Sequence, residues 1–389
     1  MENKVKISIL DFLPYYPPHV GGLERYAYEI HQNLSQNGCR ITVFVPHIPK
    51  NSPEEETDGN VTIIRYPAFE IIPAYPLPCF WRCKFWQKWG KIKKEKYDIV
   101  FSVTRFFVQP IMALVYAKMK KIPILHIEHG SDFVKHKFPV SLIAKIFDKT
   151  IGFFILSQAD RIIAPSKSAT RFIKILCHRD APLIYRGMPF SEIDSIAPKE
   201  ELRKELGNKK MIIYTGRLIH GKGISHLIEA ISQINRPDIV LFIVGEGPER
   251  KNLEEYAKKN KLEKQIRFTE GIPFQEVIGL LKISDIFVNP SYNEGLPTSV
   301  LEAGACQRAI VATKVGGTEE IVTNGESAII IPPCDTDAIR NALEKLLDNE
   351  NERNRLGINA RKEIEQKFKW ENTTEAYLKE IEALIRHRY

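Results

Sequence analysis

Short apolar, β-branched runs alternate with helical patterns along the whole chain, and few folds accept that rhythm. Strands buried on both faces read as such runs, and parallel pairing needs a crossover, usually a helix, between them. In the first half the runs are Val5–Ile9, Arg40–Val45, Val61–Arg65, Asp98–Ser102, Pro123–Ile127, Arg161–Ala164 and Leu183–Tyr185. A polar, charge-rich piece follows from Ser191 to Lys210, punctuated by Pro198 and Gly207. It reads as a boundary between domains. The rhythm then resumes at Met211–Thr215, Ile239–Val244, Ile266–Thr269, Ile286–Asn289, Ala309–Ala312 and Ala328–Ile331. The expected fold is α/β, with two doubly wound domains at 1–190 and 191–370 and a last helix, about 371–389, packing back on the first. Ligands of such folds bind outside the carboxyl ends of the strands, here in a cleft between the domains.

A length of 389 residues suits two cores better than one. Hydrophobic content of 43% with 27% charge excludes a disordered or fibrous chain. No charged-then-apolar leader precedes the first run, and Lys145, Asp148 and Lys149 interrupt the most apolar stretch, Leu142–Leu156. A cytoplasmic protein without a membrane span is expected. The six cysteines are scattered, and the spacing of Cys79 and Cys83 matches no common zinc or redox motif. They read as free thiols in a reducing compartment. The net charge of +8 suits nucleic acid, an anionic membrane face or a phosphorylated substrate, and does not choose among them.

Two strand-to-helix loops are suited to phosphate. The first, ahead of the helical stretch Leu23–Leu34, carries Gly21 and Gly22. Paired glycines let backbone N–H groups approach an anion, although a plain turn explains them equally well. The second, after Met211–Thr215, reads Gly216-Arg217-Leu218-Ile219-His220-Gly221-Lys222-Gly223. Arg217 offers a planar fork and Lys222 a compact charge, both ahead of the helix Ile224–Ile234. Neither loop has the G-x-G-x-x-G of dinucleotide enzymes.

After Ile286–Asn289 the chain runs Pro290-Ser291-Tyr292-Asn293-Glu294-Gly295-Leu296-Pro297-Thr298, then on to Glu302. Pro297 suits the first turn of a helix. That leaves Glu294 in the loop, near free helix N–H groups, and Glu302 within the helix. Carboxylates accept hydrogen bonds from sugar hydroxyls, so this pair can hold two different sugars. Pairing of Glu302 with a neighbouring lysine is the other reading.

Arg217, Lys222 and the Glu–seven residues–Glu spacing, in this order, resemble the glycogen-synthase-like family four of retaining GT-B glycosyltransferases, also called glycosyltransferase group 1. The likeness extends to Gly21-Gly22-x-Glu24, Val244-Gly245-Glu246-Gly247-Pro248, Gly316-Gly317 and the Trp370 segment. It implies a GT-B fold of two Rossmann-like domains, the first binding the acceptor and the second the nucleotide-sugar donor. It further implies that Arg217 and Lys222 neutralise the donor diphosphate, that Glu302 accepts from the ribose and that Glu294 holds the transferred sugar. Gly21, Gly22 and Gly216 would face the donor, backbone from Gly295 through Leu296 and Pro297 to Thr298 would complete its contacts, and Ile272 would lie near the base. His129, before Gly130 at a strand end, matches the family's sugar-side histidine, with His126 as the neighbouring candidate. Many members have Asn-Gly where this chain has Arg186-Gly187.

Cations aimed at the leaving diphosphate stand where other glycosyltransferases use a divalent metal. Asp335-Thr336-Asp337 mimics a metal-binding Asp-x-Asp but reads as a helix cap after Pro332-Pro333-Cys334. No metal or other cofactor is expected, and the nucleotide-diphosphate sugar, UDP- or GDP-linked, is a co-substrate. The resemblance implies front-face substitution rather than a glycosidase-like nucleophile at Glu294.

Between Phe80 and Lys96, aromatics interleave with basic residues, and Trp81, Phe85 and Trp89 share a stripe at helical spacing. The stripe either packs on the sheet or meets an anionic membrane face. The second reading suits a lipid-linked acceptor of envelope polysaccharide or lipopolysaccharide assembly. No nucleic-acid motif accompanies the charge. A sugar-nucleotide epimerase of the same fold and a non-catalytic nucleotide-sugar-binding protein are the rival functions.

Overall fold

Every residue of Ile7–Phe12 (β1) is buried, as a strand covered on both faces must be. In this computed structural model, which describes residues 7–19, 21–72, 75–133, 140–234 and 236–386, β1 is the centre of the first sheet. It is followed by helix α1 (Gly22–Gln36), β2 (Cys39–Pro46), β3 (Glu55–Asp58), β4 (Val61–Tyr66), β5 (Ala68–Ile72) and β6 (Tyr75–Pro78). Then come α2 (Cys83–Lys94), β7 (Ile99–Val103), α3 (Gln109–Lys120) and β8 (Ile124–Ile127). Helix α4 (Val140–Phe147) passes through a π-helical turn, Asp148–Gly152, into α5 (Phe153–Gln158), and β9 (Arg161–Ile163) and α6 (Lys167–Cys177) follow.

The strands form one sheet in the order β3-β4-β2-β1-β7-β8-β9. All neighbours are parallel except β3, which runs antiparallel to β4 at the edge. In register, Ile9 lies opposite Ile41 on one side and Ile99 on the other. One apolar cluster packs α2, α3, α5 and α6 on one face of the sheet, and a second packs α1 on the other. The expected strand Val5–Ile9 therefore runs on to Phe12, with Val5 outside the described residues. The expected Leu183–Tyr185 strand reduces to a single bridge between Leu183 and Ala164.

The second compact unit, Gly187–Lys369, begins with α7 (Phe190–Ser195) and α8 (Glu200–Leu206) in the polar piece. Its strands and helices alternate as β10 (Lys210–Thr215), α9 (Ile224–Gln233), β11 (Ile239–Val244), α10 (Arg250–Lys259), β12 (Ile266–Thr269) and α11 (Phe274–Ile283). There follow β13 (Ile286–Asn289), α12 (Thr298–Ala305), β14 (Ala309–Thr313), α13 (Thr318–Ile321), β15 (Ile329–Ile331), α14 (Thr336–Leu347) and α15 (Glu350–Lys367). The sheet is parallel throughout, in the order β12-β11-β10-β13-β14-β15.

The last helix, α16 (Trp370–Arg386), belongs with Met1–Arg186 in the first unit. Tyr377 Oη meets Tyr26 Oη of α1 at 2.6 Å, and Thr373 Oγ1 donates to the Tyr185 carbonyl at 2.8 Å. Both units are thus Rossmann-like α/β domains. Among the described residues no disulfide forms, and no helix is long and apolar enough to cross a membrane.

The aromatic stripe divides. Phe85 is buried in the core and Trp89 packs against it, whereas Trp81 precedes α2 and is 70% exposed. The expectation of three residues on one helical stripe is corrected, because the helix starts only at Cys83. Of the lysines on α2, Lys84, Lys88 and Lys91 pair with Glu54 and Glu55, beside the edge strand.

Candidate functional site

In a doubly wound sheet the ligand crevice opens where the strand order reverses. In the second sheet that point lies between β10 and β13, whose neighbours diverge in chain order. The two loops leaving these strands are the ones that carry Arg217 and Lys222, and Glu294.

The β10 loop is shaped by glycines. Gly223 sits at φ +64°, and a Cβ there would meet the Pro290 carbonyl oxygen at 2.1 Å, so the loop lies directly against the chain that leaves β13. Tyr292 N–H donates to the Gly221 carbonyl at 2.8 Å across the same seam. Lys222 ends a 3-10 turn, His220–Lys222, just before α9, and its Nζ donates to Glu294 Oε1 at 2.6 Å. The side chains are 22% and 10% exposed, so the pair is shielded but still open to solvent. Gly216 follows β10 at φ +149°. Arg217 is exposed, and its carbonyl accepts from buried Tyr214 Oη at 3.0 Å. Burial, then the Glu294 charge, holds the Tyr214 phenol well above its ordinary value.

Around Glu294 the structure adds residues that the motif did not supply. Ser291 Oγ lies 2.7 Å from Glu294 Oε1 and 2.6 Å from Asn289 Oδ1, so its one proton serves one oxygen at a time. Gly316, at φ +53°, lets the Glu294 carbonyl approach so closely that a Cβ would meet it at 2.0 Å. Gly317 N–H donates to the Gly295 carbonyl at 2.7 Å. Leu296 is half-buried, Pro297 caps α12, and Thr298 begins it. Pro297 therefore stands one position ahead of the expected first turn. Glu302 lies in that helix and is half-buried. Ile272, also half-buried, lies in the loop between β12 and α11, where Gly271 N–H donates to Glu246 Oε1 at 3.3 Å. Asp335 caps α14, its Oδ1 accepting from Ala338 N–H at 2.8 Å. Among the described residues no group of three His, Cys, Asp or Glu side chains is placed to hold a metal ion.

The first unit has its own switch point between β1 and β7. The loop after β1 is tied down by buried Arg65, whose Nη2 donates to the Pro17 carbonyl at 2.7 Å. Gly21 is extended, at φ −178°, so what glycine supplies there is space for a neighbouring side chain rather than dihedral freedom. A Cβ would meet the Glu24 carboxylate at 2.2 Å, and His19 Nδ1 holds that carboxylate at 2.7 Å. Only Gly22 faces open space. The two glycines are therefore not equivalent, as the sequence pattern had them.

His129 follows β8 and stands edge-on to the Tyr26 ring at 5.1 Å. Its Nε2 is buried and has no hydrogen-bond partner among the described residues. Burial pushes the imidazole down to about 4; Glu128 opposes the shift, and Arg186 and His126 reinforce it. Such a ring is neutral at pH 7. His126 is engaged elsewhere, with Nδ1 2.9 Å from Ser102 Oγ. Arg186, the departure from the family pattern, donates to Glu29 Oε2 at 2.7 Å and faces the Tyr26 ring.

The His129 shift makes stability depend on pH. A histidine with a depressed folded value leaves the unfolded chain binding more protons as pH falls below about 6.5. Stability is full above that value and declines as pH falls toward about 4. The decline is at most about 3 kcal/mol. His129→Asn is expected to flatten the urea-unfolding free energy across that window; an unchanged slope would show that His129 titrates normally.

Two Rossmann-like units in one chain are the architecture of the GT-B fold, and comparison with known proteins gives the family. Residues 198–363 match the family described as Glycosyl transferases group 1, and residues 20–190 match Glycosyltransferase Family 4. An uncharacterised glycosyltransferase of Methanocaldococcus jannaschii is 36% identical over 390 residues, covering 98% of this chain and 99% of that one. The putative teichuronic acid biosynthesis glycosyltransferase TuaC of Bacillus subtilis is 31% identical over 224 residues, 57% of this chain and 54% of that one. Sucrose-phosphate synthase of Thermosynechococcus elongatus has the same fold, with a TM-score of 0.82 at 20% identity, covering 98% of this chain and 100% of that one. The chain belongs to the group 1 glycosyltransferases, which use nucleotide-sugar donors.

Proposed function

We propose that the chain is a retaining hexosyltransferase, drawing on a UDP- or GDP-sugar and an acceptor that is a glycan or a lipid-linked sugar. The observation that carries the reading is the 2.6 Å Lys222–Glu294 pair at the switch point of the second sheet. One member would answer the leaving diphosphate while the other holds the sugar. The C1–oxygen bond of the donor breaks, and its electron pair stays with the diphosphate. The acceptor oxygen bonds to C1 on the same face, and its proton passes to a diphosphate oxygen. Arg217 and Lys222 stabilise the charge that develops, so that the reaction needs no divalent metal. Capping by Asp335 favours this, because it occupies the one Asp-x-Asp in a structural task.

Glu302 takes the ribose hydroxyls, Gly216 and the Gly295–Thr298 backbone line the donor, and Ile272 lies near the base. In the first domain, Gly22 with Gly21 and the unpartnered Nε2 of His129 are the positions that the family pattern assigns to the diphosphate and the sugar. A place in cell-envelope polysaccharide assembly draws support from the Bacillus subtilis relative, a putative glycosyltransferase of teichuronic acid biosynthesis.

The test is a panel of UDP- and GDP-sugars scored by thermal shift. Donor at ~100 times its Kd stabilises the folded state by about 2.7 kcal/mol. The donor found is then supplied with glycan and lipid-linked acceptors, and NMR reads the anomeric configuration of the product. Retention with nucleotide release is expected. Inversion overturns the retaining mechanism, donor epimerisation without acceptor identifies an epimerase, and donor that binds but never reacts identifies a non-catalytic protein.

A further inference from the structure

The exposed large hydrophobic side chains are distributed very unevenly. Among the described residues the second unit exposes Ile358 alone; the rest lie in the first unit. Within that unit they concentrate on one side of the sheet. The outward surfaces of α2, α3, α4–α5 and α6 present Trp86 at 55%, Val115 at 55%, Ile143 at 63%, Phe154 at 50% and Ile175 at 66% exposure. Helices α1 and α16, which cover the other side, expose none among the described residues.

The surface is continuous from helix to helix. Ile111, Val115 and Met119 form an i, i+4, i+8 stripe on α3. Lys118 of α3 reaches α5, its Nζ 2.6 Å from Gln158 Oε1 and above the Phe154 ring. Lys120 donates to the Lys93 carbonyl of α2 at 2.5 Å.

Charge follows the same division. The helices α2, α3, α4–α5 and α6, with the π-helical turn, carry 12 Lys and Arg against the single carboxylate of Asp148. Asp148 is fully buried against Arg105. Helices α1 and α16 together carry 6 Asp and Glu against 3 Lys and Arg. Lys84, Lys88 and Lys91 are engaged by Glu54 and Glu55, and Lys174 by Asp180. Lys118, Lys120, Lys145 and Lys149 meet no carboxylate among the described residues.

We infer that the outer surface of α3 and α4–α5, extended by α2 and α6, docks on an anionic phospholipid bilayer. An apolar area rimmed by cations and free of exposed acid on its helices suits that surface: side chains enter the headgroup boundary while lysines meet phosphates. A second copy of the same surface is a poor occupant, because it would set cation against cation. The site is not the Phe80–Lys96 stretch itself, whose helix spends three lysines on glutamates, buries Phe85 and packs half-buried Trp89 against the core. The contact is centred on its neighbours.

The test is flotation with vesicles of phosphatidylcholine, with and without phosphatidylglycerol, at low salt. The wild-type chain is expected to float only with the anionic lipid and to be released by salt. Ile143→Ser with Phe154→Ser should abolish flotation. Lys118→Gln with Lys145→Gln and Lys149→Gln should lower partitioning on the order of 100-fold. Lys379→Gln on α16 should change nothing. These positions are exposed, so the variants should keep the wild-type melting temperature and, with a water-soluble acceptor, any transferase activity. No flotation at low salt overturns the inference, as does equal flotation of the variants. Self-association lost in the serine variants, without vesicle binding, assigns the surface to a second copy instead. None of these outcomes bears on the proposed chemistry.

Discussion

Arg217→Ala and Lys222→Ala should each lower kcat for sugar transfer by about 100- to 1000-fold, the loss usual when one group facing a developing oxyanion is removed. The two variants probe the same charge by different structural routes. The Arg217 side chain is exposed and makes no hydrogen bond or ion pair among the described residues, while its carbonyl accepts from Tyr214 Oη and Ile219 N–H. Its truncation should cost less than ~0.5 kcal/mol of stability, so any loss of rate is chemical. Lys222 is also the partner of Glu294, and its removal leaves a carboxylate that Ser291 still contacts at 2.7 Å. Some misplacement of Glu294 is then included in the effect. Combining Lys222→Ala with Glu294→Gln separates the two contributions: residues that act as a unit lose less together than the sum of their single losses. Steady-state kinetics with matched melting temperatures decide the matter. Near-wild-type turnover in both single variants would remove the cations from the leaving-group step and, with them, the case for a metal-free reaction.

The sequence carried the two-domain α/β fold clearly, because central parallel strands are apolar at nearly every position. It did not carry β3, where Glu55, Glu56, Thr57 and Asp58 are all exposed, and the strand is held by backbone pairing with β4 and by ion pairs of Glu55 and Glu56 rather than by apolar burial. Nor did it carry the β5–β6 hairpin, which contains Pro76 and Pro78 and stands apart from the main sheet. Periodicity misled at Trp81, since spacing alone does not say where a helix begins.

At the site, Arg217, Lys222 and Glu294 were legible as residue types beside strand ends. The Lys222–Glu294 pair was not, as 72 residues separate its members. Ser291 and Asn289 were missed because a serine and an asparagine after a strand are ordinary turn residues. Gly21 shows the converse: the sequence displays a gap where the fold places the Glu24 carboxylate.

The buried ion cluster beside His129 leads to the second large effect: Arg105→Met should destabilise the chain by about 3–5 kcal/mol, the cost of leaving a buried charge without its partner. Arg105 is fully buried between the Phe106 and Phe172 rings. Its Nη1 donates to Glu128 Oε1 at 2.8 Å and its Nε to Asp148 Oδ1 at 2.7 Å. Glu128 Oε1 also accepts from Gly130 N–H at 2.6 Å, so this carboxylate ties together the two residues that flank His129.

Burial alone would raise the Glu128 carboxyl, but Arg105, with His126 and the Gly130 N–H, holds it down at about 2. In the wild-type chain this contribution is present above about pH 4.5 and lost as pH falls toward about 2. Without the guanidinium, burial dominates and the folded-state value rises above the unfolded one. The contribution then reverses sign and is lost as pH rises. Arg105→Met should therefore be more stable near about pH 5 than near about pH 8, the opposite of the wild type over the same range. Adding Glu128→Gln should restore part of the stability and remove the inverted slope, since the amide carries no charge to strand. Urea unfolding of the three chains at both pH values is sufficient. An Arg105→Met chain that keeps the wild-type slope would mean that Glu128 owes its ionisation to His126 and the Gly130 N–H rather than to Arg105.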